Sequence, residues 1–148
     1  MTTKTVPPKI LIVEARYYEH ISEQLLLGAV AALEEAGARF DQIEVPGAFE
    51  IPGAIGLAGV HYDGFIALGC VIRGETTHYD YVCGESARGL MELSVNRGLA
   101  IGYGIVTTEN GDQAWERAAV DRKNKGRDAA LAALRMVELR RQFAKAGS

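Results

Sequence analysis

Gly64-Phe-Ile-Ala-Leu-Gly-Cys-Val-Ile72 is an apolar run of strand length, and it points to the fold class of this protein. It predicts a buried β-strand, because a strand with one face in water would alternate apolar and polar residues. Lys9-Ile-Leu-Ile-Val-Glu-Ala15 has the same character nearer the N-terminus and predicts a strand buried on both faces. Such strands are typical of a parallel sheet that lies between two layers of helices.

Helical and strand patterns alternate around these two runs. Apolar residues spaced by three and four extend from Ile21 to Ala36, and Gly37 is suited to end that helix. Arg39 to Val45 predicts a second, more amphipathic strand, and Leu99 to Thr108 predicts a fourth. The other predicted helices cover about 48–57, a segment that ends near Gly98, about 112–119 and about 126–144.

This order predicts an α/β fold of flavodoxin-like size. Four alternations of strand and helix call for a three-layer sandwich, in which a four-stranded parallel sheet with right-handed crossovers carries helices on both faces. A length of 148 residues fits a single domain, 1–148, in which residues 1–8 are expected to form a flexible arm.

Composition excludes several classes of function. A formal net charge of −3 without a concentrated basic face argues against a nucleic-acid partner, although one arginine suffices to bind a small phosphate. Cys70 and Cys83 lack the spacing of a zinc site or redox pair, so we expect no metal and reduced thiols. The sequence shows neither a secretory signal nor a membrane span, so we expect a cytoplasmic protein.

The predicted loops at the carboxyl ends of the strands carry the chemistry, because ligands of open parallel sheets bind there. After strand three, Gly74 allows a tight turn, and Glu75, Thr76 and Thr77 expose amides and hydroxyls at a helix start that suits an anion. A simple threonine cap is the alternative, which we favour for this loop taken alone. Histidine as a residue type titrates near neutral pH, so His78 beside a possible anion site shifts the balance towards a catalytic site.

The other loops give weaker signals. Glu50 could accept hydrogen bonds from hydroxyls, and Tyr17 could stack on a planar heterocycle, but an ordinary first-turn acid and a packing aromatic are the commoner interpretations. Tyr103 lies between two glycines, which leaves room for a ligand or another backbone, with a core tyrosine as the default. The segment with Arg117 and Lys125 is either a solvated face or a phosphate clamp. Two further histidines are interpreted as surface residues: His20 and His61.

Five phrases in order make the chain resemble the lumazine synthases. They are Val45-Pro-Gly-Ala-Phe-Glu-Ile-Pro52, Gly69-Cys-Val-Ile-Arg-Gly-Glu-Thr-Thr-His-Tyr-Asp-Tyr-Val82, Thr107-Thr-Glu-Asn110, Gln113-Ala114 and Asn124-Lys-Gly126. The resemblance runs from about Ile10 to Phe143. It implies a transferase of riboflavin biosynthesis that condenses 5-amino-6-(D-ribitylamino)uracil with 3,4-dihydroxy-2-butanone 4-phosphate and needs no cofactor.

The resemblance also implies residue roles. His78 matches the proton donor. The butanone phosphate site would comprise Glu75, Thr76 and Arg117. The ribitylaminouracil site would comprise Tyr17, Ala48, Phe49, Glu50, Cys70, Val71, Ile72, Tyr103 and Lys125. Tyr17 stands where relatives usually carry Phe or Trp, and Tyr103 where Phe is common.

A homopentamer with active sites between adjacent subunits is also implied by the resemblance. Tyr17, Glu50 and His78 would come from one chain, and Tyr103, Arg117 and Lys125 from the next. Assembly of pentamers into an icosahedral cage stays open, because residues 119–123 read Ala-Val-Asp-Arg-Lys where many relatives carry a Gly-Thr-Lys-x-Gly-type stretch.

Three alternatives are weighed against an active enzyme. A non-catalytic flavin- or lumazine-binding paralogue is disfavoured by the presence of His78, Arg117 and Lys125. A shell-forming paralogue should have lost its loop residues, which are present. A generic nucleotide-binding domain should carry a glycine-rich loop after strand one, where Glu14-Ala-Arg-Tyr17 stands instead.

Overall fold

A computed structural model describes residues 6–73 and 79–146. In chain order these residues form β1 (Lys9–Ala15), α1 (Glu19–Glu35), β2 (Arg39–Val45), a 3₁₀ turn (Ala48–Glu50), α2 (Ile51–Ala58), a second 3₁₀ turn (Gly59–His61), β3 (Gly64–Ile72), α3 (Tyr79–Arg97), β4 (Ile101–Thr108), α4 (Gly111–Ala118) and α5 (Lys125–Ala146). The alternation predicted from periodicity is therefore confirmed.

The described strands form one parallel sheet in the order β2-β1-β3-β4. β1 and β3 lie at the centre and are buried along almost their whole length, as their apolar runs predict. β2 lies at one edge and is largely exposed, which fits its mixture of charged and apolar residues. The predicted three-layer α/β class is correct.

Each face of the sheet is covered by its own helices. Leu25 of α1, Ala118 of α4 and Ala133 of α5 share one core with the even-numbered residues of β1. Ile55 of α2 and Leu90 of α3 share the other core with the odd-numbered residues. This division follows from the pleat, which sends successive side chains to opposite faces.

Glycines set the distance between β4 and α5. A Cβ atom at Gly102 would overlap the carbonyl of Ala129, and one at Gly104 would press on Leu68 and the backbone of Ala67. The glycines beside Tyr103 therefore allow close approach of another backbone. The sequence predicted either a backbone or a ligand at this place. None of the described helices is long and apolar enough to cross a membrane.

Candidate functional site

A pocket of about 330 Å³ opens beyond the carboxyl ends of β1 and β3, where sequence and topology place the ligand crevice. From β1 the chain continues to β2 on one side, whereas from β3 it continues to β4 on the opposite side. The loops that follow β1 and β3 therefore diverge and leave space between them. The pocket is of a size that suits a small organic ligand. Its lining includes seven of the predicted residues: Tyr17, Ala48, Phe49, Glu50, Cys70, Val71 and Ile72.

Two exposed aromatic side chains stand at the pocket. Tyr17 is 74% exposed and Phe49 is 55% exposed. Exposure of this extent is unusual for large aromatic side chains. Tyr17 meets the ring of Tyr18 edge to face, with 4.8 Å between the ring centroids. The rings of Tyr17 and Phe49 come from different loops and could together cover a flat heterocycle.

The end of β3 offers backbone groups to the pocket. Pairing between β1 and β3 ends at Glu14 and Leu68, whereas pairing between β3 and β4 continues to Ile72 and Thr108. The backbone of residues 70–72 therefore has a sheet partner only on the β4 side. N–H and C=O groups on the side away from β4 have no partner in β1 and can recognise the polar edge of a ring.

Cys70 contributes no nucleophile at neutral pH. Its side chain is buried, and burial raises the pKa of the thiol to about 12. Since only a thiolate attacks efficiently, Cys70 belongs to the wall of the pocket. Among the residues that the structure describes, no group of His, Cys, Asp or Glu side chains is arranged to hold a metal ion.

Glu50 ends the 3₁₀ turn that begins at Ala48. Its N–H donates to the carbonyl of Gly47 at 3.1 Å, which closes the turn, and its carboxylate remains exposed at the pocket. An exposed carboxylate beside a ligand pocket can accept hydrogen bonds from several hydroxyls.

Three predicted residues lie apart from this pocket. Tyr103 lies on the edge strand β4 and lines a separate shallow groove with Leu90 and Met91. It is about half exposed, so the core tyrosine taken as the default is wrong. Partial burial nevertheless raises the pKa of its phenol.

Arg117 and Lys125 also lie outside the pocket. Arg117 is half-buried on α4 and donates from Nη1 to the carbonyl of Thr107 at 3.1 Å. Lys125 begins α5, and its Nζ lies 3.5 Å from Oδ2 of Asp128. Within one chain these two cations and Tyr103 do not meet Tyr17 or Glu50.

Three further predicted residues lie outside the described part of the chain: Glu75, Thr76 and His78. The two other histidines are exposed, as expected. His20 stacks on Trp115 with 6.3 Å between the ring centroids, and His61 ends a 3₁₀ turn.

The sequence profile of the 6,7-dimethyl-8-ribityllumazine synthases matches residues 7–141. The chain belongs to this family. Proteins of that name are similar to it along almost their full lengths. The one from Bartonella tribocorum is 58% identical over 139 residues, 92% of each chain. The one from Agrobacterium fabrum is 55% identical and covers 92% of this chain and 97% of its own. A "6,7-dimethyl-8-ribityllumazine synthase 1" of Rhizobium meliloti is 53% identical, with 95% and 96% covered.

Sequence reasoning missed several lining residues of this lumazine synthase pocket. Tyr79 and Val82 reach it from the first turn of α3, and Ala15 and Tyr18 reach it from either side of Tyr17. The guanidinium carbon of Arg73 lies over the ring of Tyr79, 4.8 Å from the ring centroid. The aromatic at the start of α3 was the available signal, because a helix that follows a loop at this edge of the sheet points its first turn at the crevice.

Proposed function

We propose that this protein condenses 5-amino-6-(D-ribitylamino)uracil with 3,4-dihydroxy-2-butanone 4-phosphate, forming 6,7-dimethyl-8-ribityllumazine, phosphate and water in the penultimate step of riboflavin biosynthesis. It is thus a transferase. The observation that carries the proposal is the pocket at the β1–β3 crevice, whose lining brings together seven residues predicted to contact the pyrimidine. The family to which the chain belongs supports the same reaction.

The pocket is suited to the pyrimidine. Tyr17 would stack on the flat ring, and Phe49 would cover it from the next loop. Backbone groups of residues 70–72 on the side away from β4 would bind the ring edge. Glu50 would accept hydrogen bonds from the ribityl hydroxyls. A largely apolar pocket with backbone polar groups at one edge and one carboxylate fits a heterocycle that carries a polyol.

The sugar phosphate requires a cation, and none of the described residues that line the pocket carries one. We assign Arg117 to the phosphate, together with Glu75 and Thr76, which precede α3 in the sequence, and Lys125 and Tyr103 to the pyrimidine side. Arginine forms bidentate contacts to phosphate. Since Arg117 does not line the pocket of its own chain, its role requires a neighbouring subunit.

The reaction would proceed in four steps. The ring amine attacks the ketone of the butanone phosphate, and loss of water gives an imine, with His78 relaying protons. Phosphate then leaves, its charge held by Arg117 and the amides near Thr76. The remaining enol tautomerises, and ring closure expels a second water. The nucleophile is already an amine, so no cofactor is invoked, and holding both substrates in register would supply much of the acceleration.

A homopentamer with shared active sites is part of the proposal. Of the 19 residues of α3 only Ser86 and Leu90 are buried, and α3 exposes Met91 and Val95. Such apolar exposure is typical of an interface. It adjoins the groove of Tyr103 at the β4 edge, so a second copy seated there would cover both.

We further propose one domain over residues 1–148 and a cytoplasmic location, where the two free cysteines would stay reduced.

Arg117→Ala tests the site assignment. Loss of a charge-assisted contact to phosphate should raise KM for the butanone phosphate by about 10- to 100-fold, with little change in KM for the pyrimidine. Arg122→Ala is the matched control, because Arg122 is an exposed arginine nearby that lies 3.6 Å from Glu116. The assay follows the appearance of the lumazine chromophore from the two purified substrates.

Two outcomes contradict different parts of the proposal. If Arg117→Ala leaves KM for the butanone phosphate unchanged, the phosphate assignment is wrong. If the unmodified protein binds the pyrimidine but forms no product, the reaction is wrong and the non-catalytic alternative is favoured.

A further inference from the structure

Arg16 lies directly beside Tyr17, yet it does not line the pyrimidine pocket and has no role in the reaction described above. It follows the last residue of β1 and lies in the three-residue connection, 16–18, between β1 and α1. That connection carries the most exposed ring of the pocket. What holds the connection in place therefore affects the shape of the pocket.

The guanidinium of Arg16 is bound by three carboxylates, each on a different nitrogen. Nη1 donates to Glu14 at 2.7 Å, Nε donates to Glu19 at 3.1 Å, and Nη2 donates to Glu23 at 2.8 Å. The side chain is only 16% exposed. Burial lowers the pKa of Arg16, but the three carboxylates more than offset this, so its pKa lies above the ordinary value. Arg16 is therefore a fixed cation.

The three carboxylates stand on both sides of the connection. Glu14 is buried on β1, and Glu19 and Glu23 lie on the first two turns of α1. One planar group thus ties the end of the strand to the start of the helix. Because a guanidinium donates in fixed directions, three simultaneous bonds restrict its position more than a single ammonium contact could.

A second contact supports the connection from behind. The hydroxyl of Ser22, which is buried on α1, donates to the carbonyl of Ala15 at 3.3 Å. The N–H of Ser22 also donates to the carbonyl of Tyr18 at 2.9 Å. The backbone on either side of Tyr17 is therefore anchored, whereas the ring of Tyr17 is largely exposed and meets the ring of Tyr18 edge to face.

We infer that Arg16 is a positioning residue, which with Glu14, Glu19 and Glu23 holds the β1–α1 connection so that the Tyr17 ring is preset for stacking on the pyrimidine. The inference rests on the proposed function and deepens it. Arg16 does not touch the substrate. Its loss lets the connection move and so weakens binding of the pyrimidine, while the phosphate site and the proton relay stay intact.

Steady-state kinetics of Arg16→Gln separates this role from a general structural one. We expect KM for the pyrimidine to rise about tenfold, because a ring displaced by an ångström loses most of its stacking, with kcat and KM for the butanone phosphate changed less than about twofold. Arg16→Lys should rescue part of the loss, since a lysine can reach one carboxylate at a time. Calorimetric titration with the pyrimidine alone should show the same weakening.

Two further variants complete the experiment. Arg135→Gln is the matched control, because Arg135 on α5 is an exposed arginine that also binds a carboxylate, Glu138 at 3.3 Å, and its loss should leave all three constants unchanged. Arg16→Gln leaves Glu14 buried without its partner and could lower the yield of folded protein. The double variant Glu19→Gln/Glu23→Gln avoids this, because both carboxylates are exposed, and it should raise KM for the pyrimidine by about threefold.

The outcomes are decisive in either direction. A folded Arg16→Gln protein with an unchanged KM for the pyrimidine overturns the inference. An equal rise in KM for the pyrimidine and for the butanone phosphate overturns it as well. If Arg16→Gln does not fold, an unchanged KM in the Glu19→Gln/Glu23→Gln protein overturns it. Failure of the unmodified protein to form product would instead contradict the proposed function.

Discussion

At the scale of single residues, burial decides which groups of the pocket can react. Cys70 faces a layer of apolar side chains and keeps its proton, whereas Glu50 and Tyr17 remain in contact with water. Burial also raises the pKa of Glu14, despite the nearby Arg16. The pocket thus has a buried apolar wall and a solvent-exposed rim.

The Cys70 thiol should make folding sensitive to alkaline pH. Its pKa rises from 9.0 to about 12 on folding, so between these values the native state keeps a proton that the unfolded state has lost. This contribution is fully present below about pH 9 and is lost as the pH rises towards 12. From about pH 8 to about pH 10 the free energy of unfolding should fall by roughly 1.4 kcal/mol more in the unmodified protein than in Cys70→Ala.

Urea unfolding of both proteins under reducing conditions at the two pH values measures this difference. Other ionisable groups are common to both proteins and cancel in the comparison. If the free energy of unfolding fell by the same amount in both proteins, the thiol would ionise as readily in the folded state as in the unfolded chain.

At the scale of elements, close backbone contacts fix how the helices lie on the sheet. α5 packs against α1 and β4 through glycines, of which Gly126 faces the carbonyl of Leu25 without room for a Cβ atom. The position of α5 determines where Lys125 is presented, and the short connection after β1 determines where Tyr17 is presented. The packing of α5 and the connection after β1 therefore fix where these two side chains are presented.

Gly126→Ala should separate α5 from α1. The added methyl group would overlap the Leu25 carbonyl, and the helix would shift, at a cost of about 3 kcal/mol in the free energy of unfolding. Gly53→Ala in α2 is the control, because a Cβ there meets no atom within 4 Å, and it should stabilise the protein by about 0.5–1 kcal/mol. Chemical denaturation provides both values, and equal effects of the two substitutions would contradict the packing argument.

Periodicity was sufficient to predict the described elements and their class, because burial on both faces leaves an unbroken apolar run in β1 and β3. It could not predict that Tyr103 would be half exposed. Two glycines and a tyrosine in a strand fit a core position equally well until the sheet order places β4 at the edge. Strand order depends on contacts between residues far apart in sequence, which local periodicity does not report.

At the scale of the whole molecule, the proposed site is incomplete in one chain. Tyr17 and Glu50 lie at the pocket, whereas Arg117, Lys125 and Tyr103 lie outside it. Exposed apolar residues on α3 and beside the β4 edge would bring two copies together. A shared site makes activity depend on assembly.

Mixing two impaired variants should restore activity at low substrate concentrations if the site is shared. Glu50→Ala damages the pocket and Arg117→Ala damages the part proposed to come from the neighbour. Random co-assembly in equal amounts should leave about a quarter of the sites with both halves intact. The mixture of Glu50→Ala with Phe49→Ala, which both damage the pocket, is the control without recovery. Light scattering should report a pentamer, and failure of the first mixture to recover activity would contradict a site between subunits.

The sequence by itself determined the fold class, the sheet edge that carries the pocket and the family, because these depend on periodicity, on the carboxyl ends of parallel strands and on ordered motifs. Only the tertiary structure decided which residues meet. It joined the loops of Tyr17, Phe49 and Cys70 in one pocket, separated Arg117 from them, and surrounded Arg16 with three carboxylates. The physical reason is that such contacts depend on how strands are ordered and helices packed, which no short stretch of sequence encodes.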